Sequence, residues 1–256
     1  MNEKERYRIL CKEEISIPIF SRDWWLDCVC GESNWDVLIY ENRDQVEAVM
    51  VYFRLSKTVI TMPPQCQAMG IWFNPVFEDE QYATNLYRRQ KISTWFIDHL
   101  PRHTIFFQTF HHSYTDWLPF YWKGYKQTVR YTYLLPDISD QDKLYRNMNR
   151  FVHRNLRKAE RNGLEIKTEV PVEALMNIYA KTYINKKMKV YEPEALRRLI
   201  EKGIERNQGK ILGAYDKSGN LCAALFIAWQ DNCAYQIAGS SDPEYKDTGA
   251  YPFLIW

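Results

Sequence analysis

Three apolar runs near the end of the chain decide how the rest is read: KILGAY at Lys210–Tyr215, LCAALFIAW at Leu221–Trp229 and CAYQIAG at Cys233–Gly239. Each has the length of a strand and is bounded by polar turn residues, the last two runs being joined by Asp231–Asn232. The polar stretch Ser240–Ala250 follows, and Tyr251–Trp256 begins a helix. A strand, a Gly-bearing loop and a helix start make a seat for an anionic or carbonyl ligand. The first turn of a helix presents unpaired N–H groups and a partial positive charge. The sequence stops about two turns into that helix. Phe253, Leu254 and Trp256 are therefore expected to expose an apolar face that a homodimer would cover.

Working outward, the same layout occurs earlier. Val37–Tyr40 reads as a strand, Glu41–Asp44 as a turn, Val46–Leu55 as a long strand and Val59–Met62 as a third, stopped by Pro63–Pro64. A loop at Gln65–Pro75, a helix from about Glu78 to His99 and a strand at Thr104–Phe110 come next. A turn or short helix at Tyr114–Tyr121 leads to a strand at Tyr125–Leu135, on the alternation of Tyr125, Gln127, Val129, Tyr131 and Tyr133. A short helix at Phe20–Cys30, capped by Ser21, precedes the whole. Two α+β units follow from the repeat, 1–136 and 137–256. Set against the first copy, the second stops inside its first helix. If the two are equivalent, roughly 60–80 residues are absent, about half of a typical domain.

Between the copies, Ser139 with Asp142 resembles a capping arrangement. A long amphipathic helix is expected from there to Asn162, with Leu144, Met148, Phe151, Val152, Leu156 and Ala159 as its apolar stripe and Gly163 as its left-handed cap. A strand at Leu164–Glu169 and helices at about Val172–Lys187 and Glu194–Asn207 complete the second unit.

Composition excludes several classes. The 256 residues carry a formal net charge of +2, so any basic surface has to be local. Leu221–Trp229 is far too short to span a membrane, and the charged opening Met1–Arg6 precedes no apolar signal core. The six cysteines lack the spacing of a redox or zinc motif and read as buried free thiols, as in a reducing, cytoplasmic setting. No Walker loop, Rossmann fingerprint or nucleophile elbow is present.

The stretch RFVHRNLRKAERNG at Arg150–Gly163 resembles the R-x-x-x-R-x-x-R-K-A-x-x-x-G helix of FemABX-like and related GNAT-superfamily acyltransferases. The Tyr131–Leu135 run before it, and Tyr235–Pro243 with Gly249–Ala250 and Leu254–Trp256 after it, are similar to the flanking segments of that family. The resemblance implies two tandem GNAT-like units with mixed sheets, the second incomplete. It implies N-acyl or aminoacyl transfer from acyl-CoA or aminoacyl-tRNA to an amine on a small molecule or a cell-wall precursor. Acyl transfer of this kind needs few side chains: a backbone N–H on a splayed strand polarises the acyl carbonyl while protons move to and from water or a base.

The candidate donor-binding residues are Gly239, Ser240, Ser241, Lys246, Thr248, Gly249 and Ala250. Lys246 takes the place of the basic residue that opens the family's Q/R-x-x-G-x-G/A loop. Tyr251 falls where a glycine or alanine ends it, with bulk that would obstruct a pyrophosphate. The alternative for this loop is an ordinary strand-to-helix connection. Arg150, Arg154, Arg157 and Lys158, with Arg146 and Arg161, form a basic helix face suited to the phosphates of a nucleotide, a tRNA or an anionic precursor. A solvated face opposite an apolar stripe gives the same pattern. Tyr183, Lys186, Lys187 and Lys189 form a second basic cluster, expected near the first. His111 and His112 lie beside Tyr114 and Asp116; adjacent histidines on a strand point to opposite faces, so no metal site is expected. The residue pattern does not nominate a catalytic base. Two other readings stay open: a non-catalytic module that binds an anionic ligand, and an inactive truncated product.

Overall fold

The computed structural model describes residues 1–77, 81–188, 192–231 and 233–256. The chain divides into two compact units, Met1–Thr128 and Val129–Trp256.

In the first unit, α1 (Glu3–Glu13) begins at a capping box: Asn2 accepts from the Glu5 N–H, and the Glu5 carboxylate accepts from the Asn2 N–H. Its far end is tied down by buried Arg22, whose guanidinium donates to the carbonyls of Cys11, Glu14 and Ile17. That satisfies acceptors a helix end otherwise leaves open. The expected helix at Phe20–Cys30 is a single 3-10 turn, Ile19–Ser21, followed by α2 (Asp23–Cys30). Strands β1 (Trp35–Asn42), β2 (Gln45–Ser56) and β3 (Val59–Thr61) form an antiparallel run. The first turn is tight because Arg43 and Asp44 both take positive φ, 49° and 64°, the geometry that matches strand twist.

β2 is buried from Ala48 through Phe53, because both faces of the sheet are covered. Val49 and Val51 pack with Tyr7, Leu26 and Trp35 on one side. Ala48, Met50 and Tyr52 pack with Ile92 and Phe96 of α3 (Tyr82–His99) on the other. The expected start of that helix at Glu78 lies outside the described residues.

Two expectations change here. The Gln65–Pro75 loop contains a short strand, β4 (Ile71–Phe73), hydrogen-bonded to Ala48–Met50. Three consecutive apolar residues fill the length of β2 that β3 is too short to reach. The strand expected at Thr104–Phe110 pairs only as β5 (Ile105–Phe106), parallel to β3, with a lone bridge from Phe110 to Met69. The first sheet is therefore mixed. Helix α4 (Leu118–Trp122) completes the unit.

Tyr125–Leu135 forms no strand. Tyr131 and Tyr133 are 93% and 101% exposed, and alternation without a neighbouring strand leaves the segment outside any ladder. The long helix expected from Ser139 is two helices, α5 (Gln141–Asn147) and α6 (Arg150–Asn162). The apolar period runs unbroken through the junction. Asn149 breaks it by leaving helical φ/ψ and accepting from the Val152 N–H at 2.9 Å, which caps a new helix. Asp140, not Ser139, caps α5.

The second sheet is antiparallel throughout its described strands: β6 (Glu165–Lys167), β7 (Gly209–Tyr215), β8 (Leu221–Gln230) and β9 (Cys233–Ser241). Asn232, in the expected β8–β9 turn, lies outside the described residues. α8 (Pro193–Glu205) and α7 (Val172–Asn185) cover the face that carries Phe226: Gly203 sits against the Phe226 ring, and Thr182 bonds Ser240 beside Ala224. α6 and α9 (Ala250–Ile255) cover the opposite face with Ala159, Ala223, Leu225, Ala250 and Leu254. Leu254, expected to be exposed, is buried in this core. Ile255 and Trp256 remain on the surface, and Trp256 lies 5.7 Å from the Tyr145 ring. Among the described residues, no helix is long and apolar enough to cross a membrane.

Candidate functional site

The loop between β9 and α9 is held by its own side chains. Asp242 is buried, accepts from the Glu244 N–H and pairs with Lys181 of α7 at 2.7 Å. Burial alone would raise its pKa. The hydrogen bonds from Lys181 and Glu244, together with the Lys181 charge, win and hold it below the usual carboxylate range. Ser240 Oγ lies 2.6 Å from Thr182 Oγ1, and Thr248 Oγ1 donates to the Tyr245 carbonyl at 2.6 Å. Lys246 is exposed.

Gly249 is the N-cap of α9 with φ 84°, and a Cβ there would lie 2.3 Å from the Asn155 carbonyl oxygen of α6. The loop therefore reaches α9 only by pressing its backbone onto α6. Glycine is required on both counts, conformation and contact. Tyr251 turns back along β9: its hydroxyl accepts from Gln236 and sits 2.9 Å from where a Gly239 Cβ would be. Its bulk is spent on the strand, and burial raises its pKa so that the phenol stays neutral.

β9 also contains a bulge. Phe226 pairs with Ala238 and Ile227 with Gln236, so Ile237 has no partner across the ladder. A bulged residue drops out of regular pairing and splays its strand. Three residues further on stands Ser240, so the splay lies beside the candidate loop.

On α6, Arg150, Arg154, Arg157 and Arg161 recur at four, three and four residues, within an arc of roughly 60°. The face opposite them carries the buried Leu156 and Ala159. Among the described residues none of these arginines, nor Lys158, has an ion-pair partner; Arg154 stacks on Phe151 with its guanidinium carbon 5.4 Å from the ring centre. Arg146 belongs to α5. Lys186 caps the C-terminal end of α7, on the other face of the sheet, so the two basic clusters are not one surface. Lys189 of the second cluster lies outside the described residues.

The first unit holds a cleft of about 290 Å³ that composition and periodicity do not reveal. Trp72, Phe73 and Tyr114 line it together with Ser16, Ser21, His111 and Ser113. Ser16 accepts from the Trp72 indole at 3.0 Å, and Tyr114 donates to Ser93 at 3.1 Å. His111 Nδ1 is 2.8 Å from Ser113 Oγ, and its ring lies 4.1 Å from His112. The two histidines are at a turn with their rings adjacent and tilted by 38°, which corrects the expectation that they point apart. Burial first, then the neighbouring imidazole, lowers the His111 pKa and keeps the ring neutral. Among the described residues no group of three side chains is arranged to ligate a metal.

No protein-family model matches the chain, and no curated protein matches it in sequence. Its structure is similar to the crystal structure of FemX, with a TM-score of 0.65 and 10% identity, over 100% of this chain and 83% of that one. The fold is FemABX-like. L-PGS from Bacillus licheniformis matches with a TM-score of 0.50 and 11% identity, over 98% of this chain and 69% of that one.

The FemABX-like fold brings Gly239–Ala250, the Ile237 bulge and α6 into one neighbourhood, because Gly249 packs on Asn155 and Asn162 donates to the Thr248 carbonyl at 3.2 Å. It leaves Lys186 apart. The bulge and the cleft are what sequence reasoning missed; a clue to the second was Gly70, whose φ of 101° lets the chain pass against Phe110.

Proposed function

We propose that the protein is an N-acyl or aminoacyl transferase, moving an acyl group from acyl-CoA or aminoacyl-tRNA to an amine on a small molecule or a cell-envelope precursor. The observation that carries this reading is the FemABX-like fold over the whole chain. In the reaction the amine nitrogen attacks the donor's acyl carbon, a C–N bond forms, and the ester C–O or thioester C–S bond breaks. The attacking amine loses a proton to water, and the leaving oxygen or sulfur takes one.

The group assigned to the developing oxyanion is the backbone N–H of Ile237, which the bulge removes from regular pairing. The close fit of Gly249 on Asn155 leaves little room for a pyrophosphate at the start of α9, so the donor is read as lying along β9. That same closure favours the alternative of a non-catalytic module, and the two readings separate cleanly by experiment. Transfer is measured from both donor types to a panel of amines. Product should form with at least one pairing, and Ile237→Pro should lower its rate about 100-fold while the far-UV spectrum is kept, as loss of one oxyanion donor does. Background rates for every pairing would overturn the assignment.

A further inference from the structure

Nearly all the positive charge near α6 is local. Gln141–Asn162 carries Lys143, Arg146, Arg150, Arg154, Arg157, Lys158 and Arg161 against Asp142 and Glu160, in a chain whose net charge is only +2. The α6 arginine row has no ion-pair partner among the described residues, and large apolar side chains flank it. Phe151 is 60% exposed on one flank, under the Arg154 guanidinium. On the other, Tyr145 of α5 stacks edge-on against His153 at 4.5 Å. Directly ahead of α5, Val129, Leu134, Leu135 and Ile138 are each about three-fifths exposed or more.

The geometry points to a peripheral membrane-docking face: α5, α6 and the segment before them lie on an anionic lipid surface, arginines on the phosphates and Phe151, Tyr145 and the aliphatic side chains at the acyl boundary. Cations alone would suit any polyanion. The exposed rings of Tyr131, Tyr133, Tyr145 and Phe151 suit a lipid interface and a nucleic-acid base alike. Val129, Leu134, Leu135 and Ile138 decide between the partners, since aliphatic side chains gain by leaving water for an acyl boundary and gain nothing from a base. Arginine stems and rings of this kind sit at such an interface with charge outward and carbon inward. α6 packs beside the β9–α9 loop, but its outward arginine row makes no contact the proposed chemistry uses, and the docking proposal does not depend on that chemistry.

The test is co-sedimentation of the whole chain with vesicles of phosphatidylglycerol and phosphatidylcholine, against vesicles of phosphatidylcholine alone. Binding should require the anionic lipid and fall when salt rises from about 0.1 M to about 1 M, which shortens the Debye length from about 10 Å to about 3 Å. Changing Arg150, Arg154, Arg157 and Arg161 to Gln should weaken it by roughly 600-fold, at roughly fivefold per charge. Phe151→Ala should weaken it while leaving the salt dependence. The same neutralisation at exposed Lys12, Arg43, Lys57 and Arg102 should leave binding within twofold, and a circular dichroism spectrum confirms that each variant is folded. Equal binding to neutral vesicles, equal loss in the control variant, or displacement from vesicles by a single-stranded RNA bound more tightly would each overturn the proposal.

Discussion

Glu47 is the extra residue of a bulge between β1 and β2: Tyr40 pairs with Ala48 and Glu41 with Val46, and the carboxylate is turned into the protein with 4% of its side chain exposed. Arg88 of α3 meets it with two hydrogen bonds, Nε to Oε2 and Nη2 to Oε1, both 2.9 Å. Arg88→Met leaves a buried carboxylate facing a methyl group. Stranding one member of a buried pair costs about 3–5 kcal/mol, because desolvation is no longer offset. With a urea m-value of about 2 kcal/mol/M, the midpoint should fall by about 2 M. Tryptophan fluorescence is the assay, since seven of the nine tryptophans, from Trp24 to Trp122, lie in the first unit. The two partners should not be equivalent: the Arg88 side chain is 20% exposed and can turn toward water, so Glu47→Leu should cost less than Arg88→Met. The double variant should recover much of the loss, as apolar replacement of a whole buried pair often does. A loss under about 1 kcal/mol for Arg88→Met, or a double variant as unstable as that single one, would refute the reasoning.

Gly209→Ala places a methyl 2.6 Å from two ring atoms of Phe226 in the packed face under α8. It should destabilise by about 1–3 kcal/mol, read as a lower melting temperature. The depressed pKa of Asp242 adds stability above the unfolded carboxylate pKa, lost as pH falls through the lower folded value. Asp242→Asn should flatten the acid limb of a thermal stability profile below about pH 4, and an unchanged limb would count against the Lys181 pairing. Burial pushes the thiols of Cys11 and Cys222 up to about 11 and that of Cys30 up to about 12. A disulfide thiol reagent at pH 8 should therefore modify these three slowly until urea is added, and fast labelling at Cys11, Cys30 and Cys222 in the native chain, located by peptide mapping, would contradict the raised thiols.

Leu221–Trp229 is legible from sequence because an uninterrupted apolar run of strand length, bounded by Asn220 and Asp231, fits a strand covered on both faces, and β8 is that strand. Tyr125–Leu135 satisfies the strand pattern equally well and forms none, because alternation reports a chain's fitness for a sheet and not the presence of a neighbour. At Met148–Asn149 the helical period continues while the helix stops. A side-chain oxygen competing for one N–H decides the matter, and hydrophobic periodicity does not register it. The basic face of α6 is visible at once from spacing. Its separation from Lys186 depends on which sheet face α7 covers, which is tertiary information. The cleft of the first unit assembles Ser16, Trp72 and Tyr114 from three distant segments, and the Ile237 bulge shows only in the register of two strands.

The two-residue strand β5 has a kinetic consequence. β1 and β2 close through a two-residue turn, so their pairing searches almost no chain entropy. β5 must instead find β3 across about 45 residues, with only Val59–Ile105 and Ile60–Phe106 to reward the closure. It should join the sheet after the hairpin and α3 have formed, and open first when the native state fluctuates. Amide exchange at Phe107, whose N–H donates to the Ile60 carbonyl at 2.9 Å, should then run ahead of exchange at Val49 and Met50 in the centre of the same sheet.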